Sequence, residues 1–485
     1  MKRINPKMWL QVALAGVSLT LPIFVTGVRA PSASAVPSYS RQTGFPCKSC
    51  HTTPPELTPL GRQFKLNGYT ITGMPVNKVE KTSKEAPLTL LQNLPLSVFF
   101  ETSYTQTNKG QPGTQNQSFE FPQDVSLFVA GAWAAHVGSF VQFTYDTQDD
   151  HFSWDLTDIR YANTRSLFGK SFVYGLDLNN TPGVEDLWHS SAAWGYPFIA
   201  DDQAPTPTAG PIVQALATDV AGFGAYGMWN DHLYFNVTGY RSEHIGFGQP
   251  NGIGCSSGNT GGPGACAAFN IHGLAPYWRA AWQQTWGNNY LEVGSYGMFM
   301  RSTPNDVVVP AGETFPTLRD NYTDVAADFQ YDRTIPRFHN DVLSLRGAYI
   351  HENSTLNASA SDSVTPDGAL AAFPRHHLNT VMANAEYHFG DRYSGAFGWF
   401  NTTGTRDPLL FPSSDDPFGS ADGSPSSSGY ILNLSWWPTQ NIDLAAQYTG
   451  YFKFNGGSTN YNGSTIAPRN ASDNNTLYIL ARFIF

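Results

Sequence analysis

Leu233-Tyr234-Phe235-Asn236-Val237-Thr238-Gly239-Tyr240 alternates along its length. Successive side chains of a strand point to opposite faces, so Leu233, Phe235 and Val237 share one face. Tyr234, Asn236 and Thr238 share the other. Residues 442–449 repeat the pattern, with Ile442, Leu444, Ala446 and Tyr448 opposing Asp443, Ala445, Gln447 and Thr449. A period of two with one apolar and one more polar face suits a strand set between lipid and a wet lumen. From residue 95 onward sixteen segments are expected as strands: 95–106, 123–135, 138–147, 153–164, 171–178, 216–229, 233–244, 276–286, 290–302, 319–333, 341–352, 375–389, 393–404, 428–437, 442–454 and 474–485.

The connections carry a second signal. Seven are short, around Val137, Gly169, Asp231, Asn288, Pro336, Asp391 and Gln440. The eight alternating with them are mostly long, such as 179–215, 245–275, 353–374 and 405–426. Outer-membrane barrels have short periplasmic turns and longer external loops. An even strand number leaves both ends of the barrel on the short-turn side. Sixteen strands also enclose a channel wide enough for a small plug. The final strand sets Leu477, Ile479, Ala481, Phe483 and Phe485 on one face. Its terminal aromatic resembles the signal of proteins inserted by the outer-membrane assembly machinery.

Composition agrees. Charged residues make up 14% of the chain, against roughly 25% in ordinary soluble proteins. After the N-terminal segment no run of 18 apolar residues exists, so a membrane-spanning helix is not expected. A soluble secreted β-protein is the alternative. Lys2, Arg3 and Lys7 precede an apolar run from Met8 to about Val25, and Ala33-Ser34-Ala35 forms a cleavage site. Residues 1–35 therefore read as a secretory signal peptide, with Ala30 as a second cut. Removing them leaves 24 basic against 38 acidic residues, a formal charge of −14. Nucleic acid is excluded as a partner, because phosphate binding needs a basic face.

Residues 36–80 form a small module, 81–94 a linker and 95–485 the barrel. The module carries Cys47-Lys48-Ser49-Cys50-His51. C-x-x-C-H is the attachment motif for haem c: two thioether bonds, with the adjacent histidine as an iron ligand. A bare C-x-x-C also occurs in zinc half-sites and redox dithiols. No second C-x-x-C or zinc-spaced partner follows here. Thr58-Pro59 reads as a helix start and Asn67-Gly68 as its end. That helix could lay Leu60 and Phe64 against a porphyrin face. About 45 residues bury little core alone, so haem and barrel wall must supply apolar surface.

The sixth iron ligand is open. Within 36–135, Met74 is the only Met or His besides His51. It could ligate the iron, which would raise the potential, or be a turn residue. Met298 and Met300 share parity with Glu292 and so face the lumen, as ligands or as packing at the haem edge. Cys255 and Cys266 suggest a disulfide closing a loop. Asp149-Asp150, Asp201-Asp202 and Asp415-Asp416 sit on expected external loops, where they could attract a cation or simply be solvated.

The order of signal peptide, Phe45-Pro46-Cys47-Lys48-Ser49-Cys50-His51, the stretch 57–69 (LTPLGRQFKLNGY) and a porin-like barrel resembles the fused cytochrome–porins of Fe(II)-oxidising bacteria. Length and low charge look closest to the acidophilic members. The resemblance implies an all-β, 16-stranded antiparallel outer-membrane β-barrel with a small N-terminal c-type cytochrome plug module. It implies oxidation of extracellular Fe(II) through one covalently bound haem c. The electron would pass to a periplasmic carrier, a rusticyanin-like blue copper protein or a soluble cytochrome c. Cys47, Cys50 and His51 carry over directly; Met74 does not come from the resemblance. The rivals are a transport porin plugged or gated by a haem module, and an outer-membrane redox protein for another donor.

Overall fold

The computed structural model describes residues 36–52, 56–71, 77–80, 88–91, 93–111, 116–146, 151–190, 204–216, 220–242, 269–304, 317–336, 340–362 and 368–485. The signal peptide, Met74, Cys255, Cys266, Asp149-Asp150 and Asp201-Asp202 lie outside these residues.

Sixteen long strands form one closed antiparallel barrel. They are β1 (Leu96–Thr107), β2 (Asp124–Ala134), β3 (Val137–Asp146), β4 (His151–Leu167), β5 (Lys170–Asn179), β6 (Val220–Trp229), β7 (Leu233–Ser242) and β8 (Ala275–Trp286). The second half comprises β9 (Asn289–Pro304), β10 (Asp320–Ile335), β11 (Asp341–Leu356), β12 (Arg375–Phe389), β13 (Tyr393–Gly404), β14 (Ser427–Thr439), β15 (Ile442–Lys453) and β16 (Thr476–Ile484). Each pairs with its neighbour in sequence, and β16 closes on β1 from Thr476↔Thr107 to Ile484↔Phe99. Two three-residue strands, Ser118–Glu120 and Phe269–Ile271, lengthen the ring at the long-loop side. The pairs β1–β2 and β7–β8 still meet directly.

The faces follow the alternation. Leu233, Phe235 and Val237 are 45%, 47% and 59% exposed, whereas Tyr234, Asn236 and Thr238 are 3%, 2% and 0% exposed. The outer face of a closed barrel meets lipid, so these exposed apolar residues form part of the membrane band of an outer-membrane barrel. All seven short turns are present. The β4–β5 turn is only Phe168-Gly169, both left-handed at φ +54° and +74°. That backbone suits a tight hairpin, since its twist matches that of the strands.

The inner face is buried because chain fills the lumen. Residues 36–71 bond to inward-facing residues of several strands. Ser38 Oγ donates to the Ala130 carbonyl (2.7 Å) and Tyr39 Oη to that of Ser139 (2.7 Å). Tyr69 Oη donates to Asp158 (2.6 Å), and Tyr226 Oη to the Leu66 carbonyl (2.9 Å). Glu56 pairs with Arg346. Arg62 lies 4.2 Å over the Tyr290 ring and 3.7 Å from Asp332. Outside this lodged stretch, Asn77–Glu80 and Leu88–Leu91 form a separate two-stranded ladder that straddles residue 80, the expected end of the module. The β5–β6 connection also turns inward, with two one-turn helices, α4 (Pro182–Glu185) and α5 (Ile212–Ala215). Ile212 and Val213 pack with Met298 and Met300, both buried. The parity of these methionines is thus as expected.

Val237 sits midway along β7 on the lipid face. Val237→Arg should destabilise the barrel by about 2–4 kcal/mol, and Val237→Ile should be near neutral. Urea titration of heat-modifiable, folded barrel would read the difference.

Candidate haem-binding site

The site is built by three short helices of the lodged segment: α1 (Pro37–Thr43), α2 (Cys47–Cys50) and α3 (Pro59–Leu66); α4 and α5 above follow it in the chain. Pro46 starts α2, and the His51 amide closes the turn on the Cys47 carbonyl at 2.9 Å. Cysteines three residues apart on one helical turn share a face. The chain then folds back, with His51 bridged to Leu57. His51 Nδ1 lies 3.2 Å from the Glu56 carbonyl oxygen. A carbonyl only accepts, so Nδ1 is the donor in this contact, and Nε2 is the nitrogen that would ligate a metal. That is the arrangement by which a ligating imidazole is oriented.

Helix α3 begins and ends at the expected residues. Thr58 caps it, Oγ1 accepting from the Gly61 amide at 3.2 Å, and Gly68 is left-handed at φ +70°. Thr58 also binds α2, donating through Oγ1 to the Ser49 carbonyl (2.6 Å) and through its amide to that of Cys50 (2.9 Å). Gly61 permits the close approach: a Cβ there would lie 2.1 Å from the Cys50 carbonyl oxygen. The motif is tied to the barrel's short-turn rim as well. Gln440 accepts from the Cys47 amide at 2.9 Å, and Asp391 pairs with Lys48.

Beside this turn lies a cavity of about 500 Å³ between the segment and the β1–β4 wall. Cys47, Cys50, His51, Leu60, Phe64 and Tyr69 border it from the segment; Phe99, Phe128 and Phe140 border it from the wall. Leu60 and Phe64 therefore both face the space where a porphyrin face was expected. Tyr39 stacks on Tyr69 at 5.5 Å and meets Phe64 edge-on at 5.1 Å. Toward the long loops the lining turns polar, with Glu101, Asp124, Gln142 and Asp155. Two thiols, an oriented imidazole and an aromatic cavity of this size fit a covalently held haem c.

Two other C-x-x-C chemistries fit less well. A reactive dithiol needs a lowered thiol pKa. Burial pushes Cys47 up to about 12 and Cys50 up to about 11. Among the described residues no cluster of three or more His, Cys, Asp and Glu could hold a metal ion. Asp415 and Asp416 instead organise their own loop, accepting from Ser464 Oγ (2.7 Å) and the Phe418 amide (2.8 Å).

One residue escaped the sequence reading. His189 borders the same cavity as His51. Burial, then the nearby Lys65 ammonium, holds its imidazole well below the usual pKa. Lys65 lines the cavity too, and burial pulls its ammonium down to about 8. Nothing local marks His189: it belongs to a long loop, and only barrel closure brings it near the motif. Met298 and Met300 do not border the cavity.

No family model matches the chain, and no curated protein matches it. Its fold is similar to that of the outer-membrane channel DcaP of Acinetobacter baumannii, at 10% identity and TM-score 0.43, covering 80% of this chain and 96% of that one. It is also similar to OmpF of Salmonella typhi in complex with daunomycin, at 11% identity and TM-score 0.43, covering 81% and 98%. OmpT of Vibrio cholerae follows at 10% identity and TM-score 0.39, covering 84% and 100%. The barrel itself is defined by its closed ladder of strands.

Gly61→Ala should part α3 from α2 without unfolding the barrel. Limited proteolysis should then cut within residues 36–71 faster than in the parent, at equal heat-modifiability.

Proposed function

We propose that this chain is an outer-membrane c-type cytochrome that oxidises extracellular Fe(II) and passes the electron to a periplasmic carrier. The observation that carries the reading is the meeting of Cys47, Cys50 and an oriented His51 on one mostly apolar cavity within the lumen. A haem held there exchanges one electron between its ferric and ferrous states. Cys47 and Cys50 would tether it, and His51 Nε2 would ligate its iron. Tyr39, Phe64, Phe99 and Phe128 line the cavity and would keep water from a group held there. Lys48, Asp391 and Gln440 fix the motif at the short-turn rim. A blue copper protein of the rusticyanin kind or a soluble cytochrome c would dock on that side. Fe(II) would approach from the long-loop side, where the cavity lining turns to carboxylates.

The porin-like barrel favours a second reading, a transport porin whose haem segment plugs or gates the pore. The two differ in redox behaviour. Replacing Cys47 and Cys50 with Ala should abolish covalent haem, read as loss of the pyridine haemochrome from the denatured chain. Two thioether links persisting in that variant would end the haem assignment.

In stopped flow at acidic pH, Fe(II) should reduce the ferric haem of the detergent-solubilised protein, and an oxidised periplasmic carrier should reoxidise it. An intact haem that Fe(II) leaves ferric would favour the gated porin. Bilayer conductance rising when residues 36–71 are deleted would strengthen that case.

A further inference from the structure

We propose that His189 is the second axial ligand of the haem held by His51, an inference that rests on the haem reading above. Two histidines border the cavity beside the Cys47–Cys50 turn. They come from different parts of the fold, His51 from the lodged segment and His189 from the β5–β6 connection. Among the described residues bordering the cavity there is no methionine and no further histidine. Lys65 is the other nitrogen donor there, but its ammonium already donates to the carbonyls of Val184 (2.5 Å) and Asp186 (2.9 Å).

The loop bearing His189 is held as a ligand loop must be. The Asp186 carboxylate accepts from the amides of Trp188 (3.0 Å) and Ser190 (2.8 Å) and from Ser190 Oγ (2.8 Å). The same carboxylate pairs with buried Arg279 at 3.2 Å. Trp188 Nε1 donates to Tyr290 Oη at 2.7 Å, and the Arg279 guanidinium lies 4.8 Å over the Trp188 ring. Lys65 Nζ approaches His189 Nε2 within 3.3 Å, so the lodged segment fixes the ring through that nitrogen, and Nδ1 is the atom that would ligate. Between these anchors His189 adopts φ +53°. A non-glycine residue in the left-handed region is uncommon, and such positions recur at ligand clamps as well as in turns. These contacts fix the loop that brings His189 to the cavity.

The test uses the full chain in detergent and reads the ferric haem by EPR and magnetic circular dichroism. The wild type should show a low-spin haem with two imidazole ligands. His189→Ala should become high-spin or water-ligated, and added imidazole should restore the low-spin spectrum. His189→Met should raise the midpoint potential, as thioether ligation does. A methionine-type spectrum in the wild type would overturn the proposal and point to Met74. An unchanged spectrum in His189→Ala would overturn it as well. Should His189→Ala fail to fold, the wild-type spectrum alone decides between two imidazoles and any other pair. Absence of covalent haem from the wild type would overturn the functional reading too; a haem with another ligand overturns only this inference.

Discussion

Hydrocarbon offers the backbone no water, so every strand of a membrane sheet must be paired on both edges. Here the last residue completes that pairing. The Phe485 amide donates to the Val98 carbonyl and the Val98 amide to the Phe485 carbonyl, each at 2.9 Å. Closure fixes which way every side chain points. It sends Leu233, Phe235 and Val237 into lipid and Tyr234, Asn236 and Thr238 into the lumen. A dry lumen would leave polar groups stranded, at a cost of roughly 1–3 kcal/mol for each. The inserted segments supply the partners. Glu185 accepts from Thr238 Oγ1 at 2.6 Å and from Asn179 Nδ2 at 3.0 Å. Arg279 gathers Asp186, Glu292 and Asp328, all buried.

The same chemistry positions the candidate site. Asp158 takes the Tyr69 hydroxyl at 2.6 Å while pairing with Arg160 at 2.8 Å. Burial, with the Asp158 charge, keeps the Tyr69 phenol protonated, so it remains the donor. Breaking a buried pair of this kind costs about 3–5 kcal/mol, because the remaining charge is left without its counter-ion. Buried polar contacts of this kind favour one arrangement over near alternatives. The lodged segment is thus keyed to the wall at Asp158, Arg346 and Tyr226, and the C-x-x-C-H turn inherits that register.

Much of the fold was legible because a barrel wall obeys a two-residue period. The sixteen long strands and seven short turns needed no tertiary information. Helix α3 was legible from Thr58-Pro59 and Asn67-Gly68, which act on their own backbone. The two three-residue strands were not, since they exist only by pairing with longer neighbours. Helix α1 was not either: Ser38 is buried because Ala130 and Ser97 lie beside it, and its own sequence shows no apolar stripe. Glu185 and Asp186 fall in the long 179–215 connection, and their partners come from β5, β7 and β8. The inward parity of Met298 and Met300 was readable, but their contact with α5 was not. His51 could be read from four neighbouring residues, whereas His189 becomes a site residue only through tertiary folding.

The filling of the lumen bears on the choice between the two functions. A solute crosses a porin through continuous water, whereas an electron crosses packed protein. On the β6–β11 side, toward the long loops, Ile212, Val213 and Leu216 pack with Tyr240, Tyr277, Tyr296, Met298 and Met300. This layer is apolar and buried. Below it the Arg279 cluster and the lodged segment are joined by the Asp186 loop, which Arg279 and Lys65 both hold. Parting these elements would break the ion pairs and expose the apolar layer; an electron needs neither change. The cavity also extends along the β1–β4 wall, from the motif at the short-turn rim to carboxylates nearer the long loops. A cofactor lying there would shorten the path through a membrane about 30 Å thick. Under the proposed function this packing suits a fixed redox conduit inside a closed sixteen-stranded barrel.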